Sequence, residues 1–301
     1  MKCQICGCDN IKIIYDGLIR NGGLGIYTAG NVSVYQCDKC HVIWHDKVIE
    51  NLDQYYQSVE YRESLEGDSD IDKFYQRHDF ENADKLKYTG VTVFRNKVVA
   101  DIGCGGGAFL DYLKGVAKDI VAVEPSMSYR KVLCKKGYHT YQYAIDAVDE
   151  WQGKVDVITS FDVIEHVESP LRFMKDVYRL LSEDGVAIIG TPTDAPVMRK
   201  LLGNIYEQKL LFSTQHLWIF GRDNLELLAR QAGFNVSDIK YFQRYGLSNL
   251  LGWLKDKAPC GNSQIDFVTT TLDNVYKAEL ERCEQSDYII LYVSKREIYE
   301  V

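Results

Sequence analysis

The feature that most constrains this chain is a glycine run caught between an apolar strand and an amphipathic helix. Val98-Val99-Ala100 leads into Asp101-Ile102-Gly103-Cys104-Gly105-Gly106-Gly107, and Ala108-Phe109-Leu110 opens the next apolar stretch. Glycines there let the backbone turn sharply and approach a ligand, with the amides of the following helix facing it. Downstream, short apolar runs alternate with amphipathic stretches, the mark of βαβ units. Strands are expected at 98–102, 120–124, 140–143, 155–161 and 186–191, with helices near 108–116, 128–136 and 171–181. Ser182-Glu183-Asp184-Gly185 reads as a helix stop, and a further helix at 225–232 is closed by Gly233. Strands at 234–242 and 288–295 bring the count to seven, an α/β sheet.

The chain divides into three zones. Residues 1–50 carry five of the nine cysteines with little periodic apolar pattern, 51–97 read as a polar, aromatic helical lead-in, and 98–301 hold the sheet. The segment 246–284 is longer than a hairpin needs and reads as a substrate-side insertion. A net charge of −8 argues against a phosphate-tracking nucleic-acid surface. The acidic run Glu66 to Asp72 reads as a solvated loop. No run approaches the ~20 apolar residues of a membrane span. Met1-Lys2-Cys3-Gln4-Ile5-Cys6 lacks the apolar core of a signal peptide, so a cytoplasmic location is expected.

Cys3-x2-Cys6 and Cys37-x2-Cys40 stand thirty residues apart. Two such pairs supply four thiolates for a tetrahedral zinc, each pair forming a knuckle. Cys8, His41 and His45 stand nearby as substitutes. Four thiolates leave no open coordination position, so the zinc is expected to be structural rather than catalytic.

Glu124 closes the second strand of the sheet, nineteen residues after Gly105, where a carboxylate accepts both hydroxyls of a ribose. Gly103-x-Gly105-x-x-Ala108 also fits the dinucleotide pattern, so an NAD-dependent oxidoreductase is an alternative. Against it, Asp101 would set a carboxylate beside a pyrophosphate, whereas it suits a cationic or amino-acid ligand.

On these residues the chain resembles the class I S-adenosylmethionine-dependent methyltransferases. Asp101 to Gly107 is similar to the family's first motif, Val121-Ala122-Val123-Glu124-Pro125-Ser126 to its second, and Ser160-Phe161-Asp162-Val163-Ile164-Glu165-His166-Val167 to its fourth-strand motif. Leu180-Leu181-x3-Gly185, Gly190-Thr191-Pro192, Gln215-His216-Leu217-Trp218-Ile219-Phe220 and Leu225 to Phe234 follow the same pattern, so the resemblance covers roughly 75–301. It implies a Rossmann-like seven-stranded methyltransferase sheet with an N-terminal zinc-ribbon-like module. It also implies S-adenosyl-L-methionine held by Asp101, Gly103, Cys104, Gly105, Glu124, Pro125 and Phe161, with Tyr75 on a covering helix. The acid that often meets the adenine amine is replaced by Ala144, with Asp146 two residues on.

Methyl transfer to a hydroxyl needs an aligned nucleophile and a base. His166 and His216 are the expected bases, with Glu165 orienting His166, and His78 is a third candidate. Asp162, Glu165 and His166 have the spacing to share a helical face and bind a divalent cation, the alternative to an orienting role for Glu165. Tyr245 and Asn249 are the expected acceptor contacts. Trp218, like Tyr241 and Trp253, serves either as a stacking face or as core. The order of modules resembles bacterial sugar methyltransferases, which implies O-methylation of a nucleotide-linked or polysaccharide sugar. Sugar C-methylation and a zinc-organised non-catalytic binding module are the remaining alternatives. The implied partner is a small-molecule or glycan acceptor, with no nucleic acid and no membrane insertion.

Overall fold

Ile11–Gly17 (β1), Val32–Cys37 (β2) and Ile43–His45 (β3) pair antiparallel in the computed structural model, which describes residues 1–58, 61, 63 and 70–297. Strand β1 buries no residue fully on either face, so its sequence shows little alternation, and these strands were not expected. Two helices follow, Leu52–Gln57 (α1) and Ile71–Thr89 (α2). Residues 66–69 of the acidic run lie outside the described residues. Asp70, within the run, caps α2 by accepting from the amides of Asp72 and Lys73, so the run's last two residues are helix rather than the expected loop.

The sheet is built from Val98–Ile102 (β4), Asp119–Val123 (β5), His139–Tyr141 (β6), Val155–Phe161 (β7), Leu181–Pro192 (β8), Asn235–Phe242 (β10) and Tyr288–Ser294 (β11). Its order is β10-β11-β8-β7-β4-β5-β6, the expected seven strands. Strand β4 pairs in parallel with β5 and β7, and both of its neighbours read as apolar runs because each face is covered. From β4 the chain steps outward to β5 and β6, then returns to β7 on the other side. This reversal is the switch point where such sheets bind ligands.

Helices Ala108–Leu113 (α3), Met127–Lys135 (α4), Ala144–Trp151 (α5) and Pro170–Leu180 (α6) link these strands. Ser169 caps α6 and Pro170 opens it, while Phe173, Met174, Val177 and Leu180 form its buried stripe. Helix α6 ends at Leu180 and β8 starts at Leu181, so Ser182 to Gly185 are strand rather than the expected stop. Helix α5 was not expected; Asp146 Oδ2 accepts from the Tyr143 amide at 3.0 Å, which fixes its first turn. The remaining elements are Pro196–Leu202 (α7), a helical stretch at 204–211, Trp218–Ile219 (β9), Arg222–Ala232 (α8), Leu247–Asp256 (α9) and Thr270–Arg282 (α10).

Residue contacts divide the chain into two compact units. The first joins 1–48 to 190–225 and 239–290, and the second holds 49–189, 226–238 and the chain from Leu291. This differs from the expected division at residues 50 and 97. Strand β9 pairs with β3, and Ile19, Val34 and Ile43 share one core with Ala195, Met198, Phe212, Leu250 and Trp253. Fewer than fifty residues bury too little surface to stand alone, so the N-terminal strands borrow a core from later segments. The insertion 246–284 supplies α9 and α10 to that unit. Among the described residues no helix is long and apolar enough to cross a membrane.

Candidate active site and metal centre

In the second unit, β4 delivers Asp101 to the switch point. Its neighbour in register on β7 is Thr159, whose hydroxyl donates to Asp101 Oδ1 at 2.7 Å. Burial lifts the Asp101 carboxyl to about 6, against the lowering pull of Lys85 and Thr159. Gly103 follows with φ of +79°, and a Cβ there would collide with Val163 Cγ2. Only glycine fits both demands.

The turn is fixed by its acid. Glu124 Oε2 accepts from the Gly105 amide and Oε1 from the Ser126 amide, each at 2.8 Å. A carboxylate oxygen accepts more than one hydrogen bond, so holding the turn is compatible with binding a ribose diol. Pro125 holds its carbonyl toward Arg130 Nη1. Cys104 is buried, and burial pushes its thiol well up, so it stays neutral. Phe161 ends β7 with its ring against Phe109 and Tyr88. Tyr75 donates to the Gly106 carbonyl at 2.9 Å, tying α2 to the turn. The expected cofactor residues thus meet in one place. Asn82, on α2, is 1% exposed, and its Nδ2 has no hydrogen-bond partner in the protein. A glycine cradle and an orphaned buried amide fit a bound polar cofactor.

Beyond β7 the chain makes a tight turn. Asp162 adopts φ of +57°, a strained value for an aspartate, and the His166 amide donates to the Val163 carbonyl at 2.9 Å. Glu165 is 1% exposed, and its Oε1 lies 3.8 Å from His166 Nε2. The Tyr56 hydroxyl lies 3.0 Å from His166 Nδ1. Burial raises the Tyr56 hydroxyl far above its usual range, so it stays protonated. Sequence reasoning missed Tyr56: one tyrosine among 21 carries no signal until α1 brings it to His166. His78 instead stacks on Phe74 and pairs with Glu81 at 3.0 Å.

His216, Trp218, Tyr245 and Asn249 belong to the first unit. His216 donates its amide to the Ser213 carbonyl in a turn before β9. Trp218 is 4% exposed, with its ring centroid 6.3 Å from both Trp44 and Phe220, so it packs as core of that unit. Trp253 is fully buried in the same unit. The guanidinium of Arg244 lies 5.9 Å from the Tyr245 ring. Asn249 lines a small, open polar cleft with Ser263, Asp273, Asn274 and Lys277.

The four N-terminal thiols also converge in the first unit. Cys3 and Cys40 Sγ are 3.6 Å apart, Cys6 and Cys37 Sγ are 3.4 Å apart, and all four sulfurs lie within 4.8 Å of one another. A zinc–sulfur tetrahedron with bonds of about 2.3 Å has edges of about 3.8 Å, so the set fits that metal. Each pair closes the same knuckle. The Gly7 amide donates to the Cys3 carbonyl and the His41 amide to the Cys37 carbonyl, both at 2.9 Å, with φ of +71° and +61°. His41 therefore occupies the turn position that Gly7 fills in the other pair. His45 has both ring nitrogens on backbone carbonyls, of Asp46 and Ser213. Burial raises the Cys37 thiol, but amides of Cys40 and Lys39 and the neighbouring thiols bring it down to about 7.

The strand order, the glycine turn and Glu124 together define a methyltransferase-type Rossmann sheet. A family profile described as "Methyltransferase domain" matches residues 75–239, over half of the chain, and the chain belongs to that family of S-adenosylmethionine-dependent methyltransferases. This sets the dinucleotide alternative aside. The chain is similar to an enzyme of Roseobacter denitrificans named ubiquinone biosynthesis O-methyltransferase, 26% identical over 159 residues, covering 50% of this chain. That match spans 64% of the relative's own length. A Neisseria meningitidis enzyme of the same name is 26% identical over 65% of this chain and 85% of its own. A SAM-dependent methyltransferase from Archaeoglobus fulgidus superposes with a TM-score of 0.51 at 16% identity, over 74% of this chain and 99% of its own, which shows the shared fold. The family match begins at residue 75, so the thiol cluster lies outside it.

Proposed function

We propose that this chain O-methylates a hydroxyl of a small-molecule acceptor, with His166 as the base. The observation that carries this reading is the Tyr56–His166–Glu165 arrangement just past β7, beside the switch point. The cofactor supplies an electrophilic methyl group on its sulfonium. The protein's part is to hold that group, align the acceptor oxygen and remove its proton. With its own proton on Nδ1 shared with the Tyr56 oxygen, His166 presents Nε2 as the proton acceptor. The Glu165 carboxylate beside Nε2 then stabilises the imidazolium. Gly103, Cys104, Gly105, Glu124, Pro125, Phe161 and Tyr75 are the cofactor contacts in this reading, and Asp101 faces the amino-acid end. We assign a structural zinc to Cys3, Cys6, Cys37 and Cys40.

For the acceptor, the first reading is a sugar hydroxyl, from the resemblance of the module order to bacterial sugar methyltransferases. A phenolic hydroxyl is the second reading, favoured by the relatives' name. Transfer of a labelled methyl group to panels of nucleotide sugars, glycans and catechols separates the two. His166→Gln should lower kcat about a hundredfold without moving cofactor affinity. If neither His166→Gln nor His216→Gln lowers turnover, the base assignment fails.

A further inference from the structure

The stretch 193–221 leaves β8 at its carboxyl end, the end where a doubly wound sheet meets its ligands. Of the ten residues from 211 to 220, only His216 is not buried. Ser213, Thr214 and Gln215 are polar yet at most 1% exposed, so their groups need partners inside the protein.

The N-terminal strands supply those partners. The Arg20 amide donates to the Phe212 carbonyl at 3.0 Å, and the Thr214 amide donates to the Arg20 carbonyl at 2.9 Å. The Thr214 hydroxyl donates to Asn21 Oδ1 at 3.0 Å. His45, 5% exposed at the end of β3, sets its ring Nε2 2.9 Å from the Ser213 carbonyl. The His216 amide donates to that same carbonyl at 3.0 Å. One oxygen thus joins His45 to the turn that presents His216. The far end of the stretch is held by the thiol module too. Ile43 and Trp44 of β3 pair with Ile219 and Trp218, and the Cys40 carbonyl accepts from Asn224 Nδ2 at 3.1 Å. Strand β3 starts three residues after Cys40, so whatever fixes that knuckle also fixes His45. Apolar packing in the shared core already holds the module in place. Buried, satisfied hydrogen bonds add a fixed geometry, and here they converge on the turn of one half-buried imidazole.

We propose that the N-terminal module sets the position of His216 for methyl transfer, with His45 as the positioning residue. His216 meets the acceptor as a hydrogen-bond partner of its hydroxyl, and a shift of the turn by about 1 Å misaligns that nucleophile. This rests on the methyl-transfer reading above and adds a part for the thiol module.

Two polar replacements divide the functions of the His45 ring. The amide nitrogen of glutamine matches Nε2, and that of asparagine matches Nδ1, which lies 2.7 Å from the Asp46 carbonyl. His45→Asn should therefore release the Ser213 carbonyl and speed exchange of the His216 amide about fivefold or more. It should also lower labelled methyl transfer to the panels of nucleotide sugars, glycans and catechols about tenfold or more. His45→Gln should keep both within about threefold, and both variants should bind S-adenosylhomocysteine within about twofold of the unaltered chain. A merely stabilising His45 would lower the Tm of the variants yet leave transfer alike at a temperature where each is folded. Equal transfer by the two variants, or unchanged His216 exchange in His45→Asn, would overturn the proposal. Full transfer by His216→Gln would remove His216 from the reaction, and its positioning with it. Failure of the unaltered chain to bind S-adenosylhomocysteine would instead strike the cofactor reading on which all of this rests.

Discussion

Asp101 lies buried at the end of β4, and its carboxyl is raised to about 6 by burial, with Lys85 and Thr159 pulling the other way. The unfolded value is near 3.8, so the native state binds its proton more tightly than the unfolded state does. Stability is then lost as pH rises from about 4 to about 6, a cost on the order of 3 kcal/mol above that window. Asp101→Asn should therefore raise the Tm of the ligand-free chain at pH 8, with the gain vanishing toward pH 4. Thermal melts across that range check this. The same variant should weaken S-adenosylhomocysteine about tenfold, and calorimetry reads that loss. A buried carboxylate that costs the fold stability is legible in sequence as a charge ahead of a glycine turn. The partners of that charge are not, because Lys85 and Thr159 reach it only through the α2 packing and the β4–β7 register.

The turn from β4 to α3 illustrates what an element dictates. Gly103→Ala meets both a left-handed backbone and the Val163 side chain, so its loss should be on the order of 2–3 kcal/mol in urea unfolding. Adding Val163→Ala should recover the part due to collision and leave about 1 kcal/mol of backbone strain. Full recovery would show that the φ angle costs nothing. The elements of the sheet were legible because β4, β5 and β7 are apolar runs covered on both faces. Strands β1 to β3 were not, since β1 buries no residue fully and β2 buries only every third, so neither shows the alternation or the apolar run of a strand. Tyr56 was hidden for a similar reason, since nothing near α1 marks one tyrosine out. Tyr56→Phe should lower kcat and shift the 15N signals of the His166 ring toward a mixed tautomer, whereas a purely structural role would leave the tautomer unchanged.

At the scale of the molecule, the first unit joins segments from three parts of the chain. The thiol cluster therefore bears on residues far away in sequence, which no linear division could reveal. Metal analysis should find one zinc per chain, lost in Cys37→Ser. Hydrogen exchange should then accelerate across 190–225 and 239–290 as well as 1–48, while 98–161 keep their protection. Unchanged protection at 190–225 would make the cluster a stand-alone module. The account as a whole turns on Glu124, whose carboxylate holds the glycine turn and is assigned to the cofactor's ribose. Calorimetric titration of S-adenosylhomocysteine into the unaltered chain and into Glu124→Ala tests that most directly. The account predicts one site per chain and a loss of about tenfold or more in the variant. Equal affinity in the two proteins, or tight binding of NADH with none of S-adenosylhomocysteine, would contradict it.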